Sequence, residues 1–368
     1  HSCKRFSGNT HFKFYFSHPC TYRDFYIRYS LCSGRPTYQI LITIKMNETK
    51  NTQMMEGLKP TASLFEERWD IFKRNHLAYF SFIFLMVLFV FAIIGKILTR
   101  WVVLFDPKLV RLSEKLLPPL TPFASKIIPT EDAPMFNMYI LGTDELGRDL
   151  FARMLEGTSV SLTVGFIAVG ISIFLGILFG GIAGYYGKLK LGFLTIDTII
   201  MRFVDIMLCF PTFFLILTVV ALLPPSIYNI MIIIGLTSWM GTARFVRAEF
   251  LSLRELDYVT AARSQAIPEW RIILIHMVPN AIAPVLVSAT IGVATAILIE
   301  SSLSFLGFGV QPPDATWGNI LSDGKQFIFD APWITFIPGF SILFVVLAFN
   351  LCGEGMREAF NPKLKEGA

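Results

Sequence analysis

Residues 254–280 read Arg-Glu-Leu-Asp-Tyr-Val-Thr-Ala-Ala-Arg-Ser-Gln-Ala-Ile-Pro-Glu-Trp-Arg-Ile-Ile-Leu-Ile-His-Met-Val-Pro-Asn, a polar, helix-prone loop between two strongly apolar runs. Asp257 can cap a short helix, because its side-chain oxygen accepts a bond from a free N–H of the first turn. The expected helix runs from about Tyr258 to Gln265. By three- and four-residue spacing, Tyr258, Ala261, Ala262 and Gln265 share one face. One aromatic, two methyls and an amide let another protein's backbone approach closely. Pro268 suits the first turn of a second helix, with Glu269 favoured near its positive end. That helix is expected to carry Trp270, Ile273, Leu274 and Met277 towards a membrane and to break before Pro279.

This loop resembles the cytoplasmic signature loop of ABC importer permeases. The family pattern is Glu-Ala-Ala, three residues, Gly, then an Ile-x-Leu-Pro-like end. Thr260-Ala261-Ala262 stands at the triplet and Met277-Val278-Pro279-Asn280 at the end. Thr260 replaces the family Glu, and Ala266 replaces the Gly. The resemblance implies that Asp257, Tyr258, Thr260, Ala261, Ala262, Arg263, Gln265 and Ala266 form a coupling helix docked on an ATP-hydrolysing subunit. An amphipathic surface loop of some other membrane protein is the plainer alternative. If the family Gly is left-handed, Ala266 costs about 1 kcal/mol there. The other possibility is a right-handed turn, with Pro268 setting the break.

Composition sets the class. Of 368 residues, 54% are hydrophobic and only 16% charged, and the mean hydropathy is +0.57. A soluble domain carries about a quarter charged residues. The apolar segments are continuous and lack two-residue alternation, which argues for membrane helices over a barrel. A net charge of +5 fits a positive-inside membrane protein better than a nucleic-acid binder. The five cysteines form no Cys-x-x-Cys, and Cys209 and Cys352 fall in apolar runs as small core residues. No His-Glu-x-x-His, Gly-x-Ser-x-Gly or phosphate-binding P-loop occurs. Any ATP that drives the chain is therefore expected on another subunit.

Taken in order, residues 1–67 are an N-terminal tail. Met46 is read as the start, with residues 1–45 an upstream extension; a cytoplasmic tail is the alternative. Leu77 to Gly95 is uncharged and long enough for a first span within region 68–99. Residues 100–157 are expected as an extracytoplasmic loop with an interfacial helix. Thr143 and Asp144 are the expected caps of that helix, through Phe151 and Leu155. A core at 158–353 then holds five more spans: Val160–Tyr186, a third turning apolar through Pro211 to Leu223, Ile227–Met240, Ala281–Ile299 and Trp333–Cys352. Residues 354–368 form a tail. Gly176, Gly180 and Gly184 recur every fourth residue and invite close helix packing. Pro284 is expected to kink the fifth span. Arg202 and Asp205, three apart, are expected to pair; with Glu300 they are the ion-pair or gate candidates.

Two further blocks carry resemblance. Leu141-Gly-Thr-Asp-Glu-Leu-Gly-Arg-Asp149 is similar to a run of peptide-type permeases. Glu300 to Gly309, with Val310 to Asn319 and the run Gly353 to Pro362, is similar to the peptide and nickel branch. The likeness covers about residues 70 to 362. It implies an all-α polytopic protein with six transmembrane helices and the type I ABC importer permease fold, nearest the C-type subunit of oligopeptide/dipeptide importers. It also implies a second permease subunit, two ATP-binding subunits that hold ATP and Mg, an extracytoplasmic substrate-binding protein and surrounding membrane lipid. The chain itself would bind no cofactor or metal and catalyse nothing. Basic residues cluster in alternate short loops, which places both termini and the signature loop on the cytoplasmic side; the resemblance implies that the membrane is a bacterial inner membrane. A nickel or other small-solute importer is the near alternative. An ion-coupled secondary transporter is the distant one, and Asp197, Arg202, Asp205 and Glu300 are its few candidate acids and bases.

Overall fold

The structure, a computed structural model, describes residues 64–101, 106–123 and 138–360. The expectations for residues 1–63, and for the tail after 360, lie outside the described residues. The described chain is mostly helical. Ten helices follow in order: α1 Leu64–Arg74, α2 His76–Trp101, α3 Leu150–Tyr185, α4 Ile196–Cys209, α5 Thr212–Leu222, α6 Ile227–Leu253, α7 Asp257–Ser264, α8 Glu269–Phe305, α9 Trp317–Gly324 and α10 Trp333–Phe360. Two short 3-10 helices, Leu112–Glu114 and Lys325–Phe327, and two small hairpins accompany them: β1 Thr121–Pro122 with β2 Met138–Tyr139, and β3 Lys190–Leu191 with β4 Leu194–Thr195.

Five helices are long and apolar enough to cross a membrane: α2, α3, α6, α8 and α10. The expected third span is not one helix. It is α4 and α5, bent by 83° at a break beside Pro211. Contacts at the helix ends show that this bent pair still makes one crossing. Asp197, at the start of α4, is gripped in fork fashion by Arg247, near the end of α6. Asn229 Nδ2, at the start of α6, donates to Pro224 O, just after α5. The pair therefore carries the chain from one end of α6 to the other and, counted as one span, brings the candidate spans among the described residues to six.

The spans are longer than hydropathy alone suggested. The second begins at Leu150 rather than Val160, and the fourth continues to Leu253. The fifth does not break before Pro279. Proline cannot donate to the preceding turn, and the chain winds as a π-helix over Ile272–Met277 before continuing to Phe305. Pro284 and Pro338 also lie inside helices.

Packing follows the glycine spacing. Gly176, Gly180 and Gly184 of α3 face Thr242, Ala243 and Phe250 of α6. A methyl at Gly180 would stand 2.4 Å from the Ala243 carbonyl oxygen, so only glycine permits this approach. At the other flank, α1 folds back on the end of α10. Asn75 Oδ1 accepts from Ala78 N at 3.1 Å and starts α2, while Asn75 Nδ2 donates to Glu358 at 2.9 Å. Cys352 is buried as expected, but Cys209 is exposed.

The Leu141–Asp149 loop is anchored differently from expectation. Asp149, not Thr143 or Asp144, caps α3 by accepting from Phe151 N at 2.9 Å. Asp144 is fully buried and takes Nε of Arg148 and Nη1 of Arg153, each at 2.6 Å. Both guanidinium groups also reach Asp323 of α9, at 3.3 and 3.0 Å. Thr143 Oγ1 donates to Glu114 O and accepts from Leu117 N. Two charged pairs thus draw the capping duty away from Asp144 and tie the start of α3 to α9. The helix expected through Phe151 and Leu155 is present as the first turns of α3, continuous with the span.

Candidate functional site

The signature loop folds as α7 and lies across the ends of three spans. Val259 and Ala262 are buried with Tyr185 of α3, Val246 and Phe250 of α6, and Ile272, Met277, Ala281 and Val285 of α8. Tyr258, Ala261 and Gln265 remain exposed. The expected four-residue face is therefore split: Ala262 belongs to the chain's own core. On a helix of 3.6 residues per turn, Ala262 sits about 40° from Tyr258 and about 60° from Val259. The edge of the buried stripe passes between them. Val259 is not part of the expected face; its β-branched side chain three residues before Ala262 is the sequence signal that marks the buried stripe.

The ends of α7 are also corrected. Leu256 is the N-cap, with no side-chain capping bond; Asp257 is the first helical residue, exposed near the positive helix end. Gln265 is the C-cap rather than part of the helix. Ala266 is left-handed at φ 55°, which rules out the right-handed turn. Its N–H reaches Arg263 O at 2.9 Å, and Ile267 N–H reaches Ala262 O at 3.2 Å. This bond pair is a Schellman motif, with alanine where glycine is favoured.

The remaining polar groups are largely satisfied within the chain. Thr260 Oγ1 donates to Leu256 O at 3.3 Å, and Ser264 Oγ to Thr260 O at 3.0 Å. The Arg263 guanidinium lies 5.0 Å above the Tyr185 ring. Asn280 Nδ2 donates to the Tyr258 hydroxyl at 3.4 Å and to His276 O at 2.6 Å. Met277 turns inward with Ile272, while Trp270 and Leu274 stay exposed.

Arg202 and Asp205 do not pair. Asp205 Oδ1 accepts instead from Arg244 Nη2 of the facing helix α6 at 2.6 Å, and Arg202 is exposed. An arginine on the neighbouring helix reaches the carboxylate better than one on the same helix. Glu300 is fully buried and meets hydroxyls rather than a cation: Ser304 Oγ donates at 2.7 Å and Ser301 Oγ at 3.4 Å. The three gate candidates thus form no ion-paired group: Asp205 pairs α4 with α6, and Glu300 is held by hydroxyls of its own helix.

Comparison with known proteins decides the family. Residues 172–366 match the family described as binding-protein-dependent transport system inner membrane component. The chain belongs to this family. Residues 63–119 also match the N-terminal transmembrane domain of oligopeptide transport permease C. The dipeptide transport system permease protein DppC of Haemophilus influenzae is 38% identical over 82% of this chain and 95% of its own length. DppC of Alkalihalophilus pseudofirmus is 46% identical over 61% of this chain and 72% of its own length. The oligopeptide transport system permease protein OppC of Bacillus subtilis is 30% identical over 84% of this chain and 92% of its own length. This member of the binding-protein-dependent permeases is an ABC importer permease subunit, polytopic and mostly helical.

Proposed function

We propose that the chain is one of two permease subunits of an ATP-driven peptide importer, and that α7 is the surface on which an ATPase subunit docks. The observation that carries this is the split of α7. One side is built into the bundle through Val259 and Ala262, and the other offers Tyr258, Ala261 and Gln265 to a second protein. A helix fixed on one side and bare on the other is suited to receive force. ATP and Mg then belong to two partner subunits, a second permease completes the pathway, and an extracytoplasmic binding protein delivers substrate. Both termini and α7 face the cytoplasm, the spans from α3 to α10 form the transmembrane core, and the segment between α2 and α3 lies outside. Peptides are the favoured substrates because the relatives above carry dipeptide and oligopeptide transport names.

Binding of ATP moves the ATPase subunits, and the bundle follows α7. A ligand shifts such an equilibrium only through different affinity for the two states, so the work comes from contacts made in the ATP-bound form. The test is reconstitution of the complete complex in proteoliposomes, with radiolabelled dialanine as substrate. Uptake that requires ATP and the binding protein is expected. Uptake that persists without the ATPase subunits and collapses with the proton gradient would point to secondary transport, and uptake of nickel alone would point to the nickel branch.

A further inference from the structure

Arg254 is the C-cap of α6, yet its guanidinium is buried against the end of a different span. Nη1 donates to Tyr185 O at 3.2 Å and to Gly184 O at 3.4 Å. These are among the last carbonyls of α3, which no N–H of their own helix can reach. They also carry the negative end of the helix dipole, where a cation is favoured. Glu255 Oε1 steadies the same guanidinium, accepting from Nη2 at 3.2 Å and Nε at 3.4 Å. Two further contacts fall on the same spot. Arg263 covers the Tyr185 ring, and Tyr185 is buried in one cluster with Ile272 and Met277 of α8. Residues before, within and after α7 therefore all fasten on positions 184 and 185.

This arrangement is not set by chain connectivity. The covalent neighbours of α7 are α6 and α8; α3 precedes it by several elements. We infer that Arg254 is the positioning residue that fastens the coupling helix to α3, so that α3 moves with α7. This rests on the reading of α7 as the ATPase-docking element. α3 is an unbroken helix of 36 residues. Its far end carries Arg153, bonded to Asp144 and to Asp323 of α9. Displacement of α7 thus reaches the opposite face through α3, and α9 follows.

The experiment uses the whole complex in proteoliposomes, with dialanine uptake and ATP hydrolysis measured together. Arg254→Gln is expected to assemble with the ATPase subunits and to hydrolyse ATP as the wild type does. Its uptake per ATP is expected to fall about tenfold, the scale of one charged hydrogen bond lost. Arg254→Lys keeps the charge but cannot hold two carbonyls as the planar fork does, so it is expected to recover part of the ratio. An unchanged uptake-to-hydrolysis ratio in Arg254→Gln overturns the proposal. Should that variant fail to accumulate, an unchanged ratio in Arg254→Lys overturns it equally. Loss of ATPase assembly in either variant also overturns it, because Arg254 would then act on docking. Failure of the docking reading is separately visible: Ala261→Arg would leave ATPase assembly intact.

Discussion

The backbone N–H of Ile267 reaches the carbonyl of Ala262 at 3.2 Å, closing the end of α7 around a left-handed Ala266. An L-residue with a Cβ is strained in that conformation, and glycine is not. Ala266→Gly should therefore stabilise α7 locally by about 1 kcal/mol. Amide exchange across residues 262–267 should slow by about fivefold, which is that energy at 25 °C. Faster exchange in the variant would mean that the left-handed cap is absent in the membrane-embedded protein.

Adjacent alanines should behave in opposite ways. Ala261→Arg adds charge on the exposed side, so the isolated chain should keep its thermal stability and lose the ATPase subunits on co-purification. Ala262→Arg forces a guanidinium among Val259, Tyr185 and Phe250. That burial costs a few kcal/mol, and the isolated chain itself should melt lower. Equal stability of the two variants would contradict the placement of the buried stripe.

The buried pair of arginines above α3 sets another expectation. Asp144→Ala leaves Arg148 and Arg153 with only Asp323, and breaking such a pair costs about 3–5 kcal/mol. Asp323→Asn should cost clearly less, because Asp323 keeps 22% of its side chain in solvent while Asp144 keeps 0%. Thermal unfolding in detergent gives the ranking, and a reversed order would refute Asp144 as the hub.

Asp149 makes stability depend on pH. Burial pushes its carboxyl up to about 6 from the ordinary 3.8, with the Phe151 N–H and the Arg111 charge acting the other way. Between these values the folded chain holds a proton that the unfolded chain has released. Stability therefore falls as pH rises through that window. Asp149→Asn keeps a capping oxygen and removes the titration, so its melting temperature should decline less from about pH 4 to about pH 6. Parallel declines in variant and wild type would place the effect elsewhere.

Much of the architecture was readable from the chain. Uncharged runs marked the spans, and the spacing of Gly176, Gly180 and Gly184 marked the tightest helix pair. What escaped depended on partners distant in sequence. Asp144 was a plausible cap until Arg148 and Arg153 competed for it. Arg202 and Asp205 were well spaced on one helix, yet Arg244 lay closer across the interface. Ala262 matched the outward face by period but met Tyr185 and Phe250 from other spans. Arg254 gave no local sign at all, since its targets are backbone carbonyls about seventy positions away.

The 83° elbow beside Pro211 leaves one crossing in two articulated pieces. The piece nearer α7 is bolted to α6 by Asp197 with Arg247 and by Asp205 with Arg244. The other piece, α5, carries neither ionic bolt. It is held instead by Ile216 and Val220, buried in one cluster with Ile230 and Ile234, so the two halves of this crossing are fastened by different chemistry, ionic nearer α7 and apolar beyond the elbow.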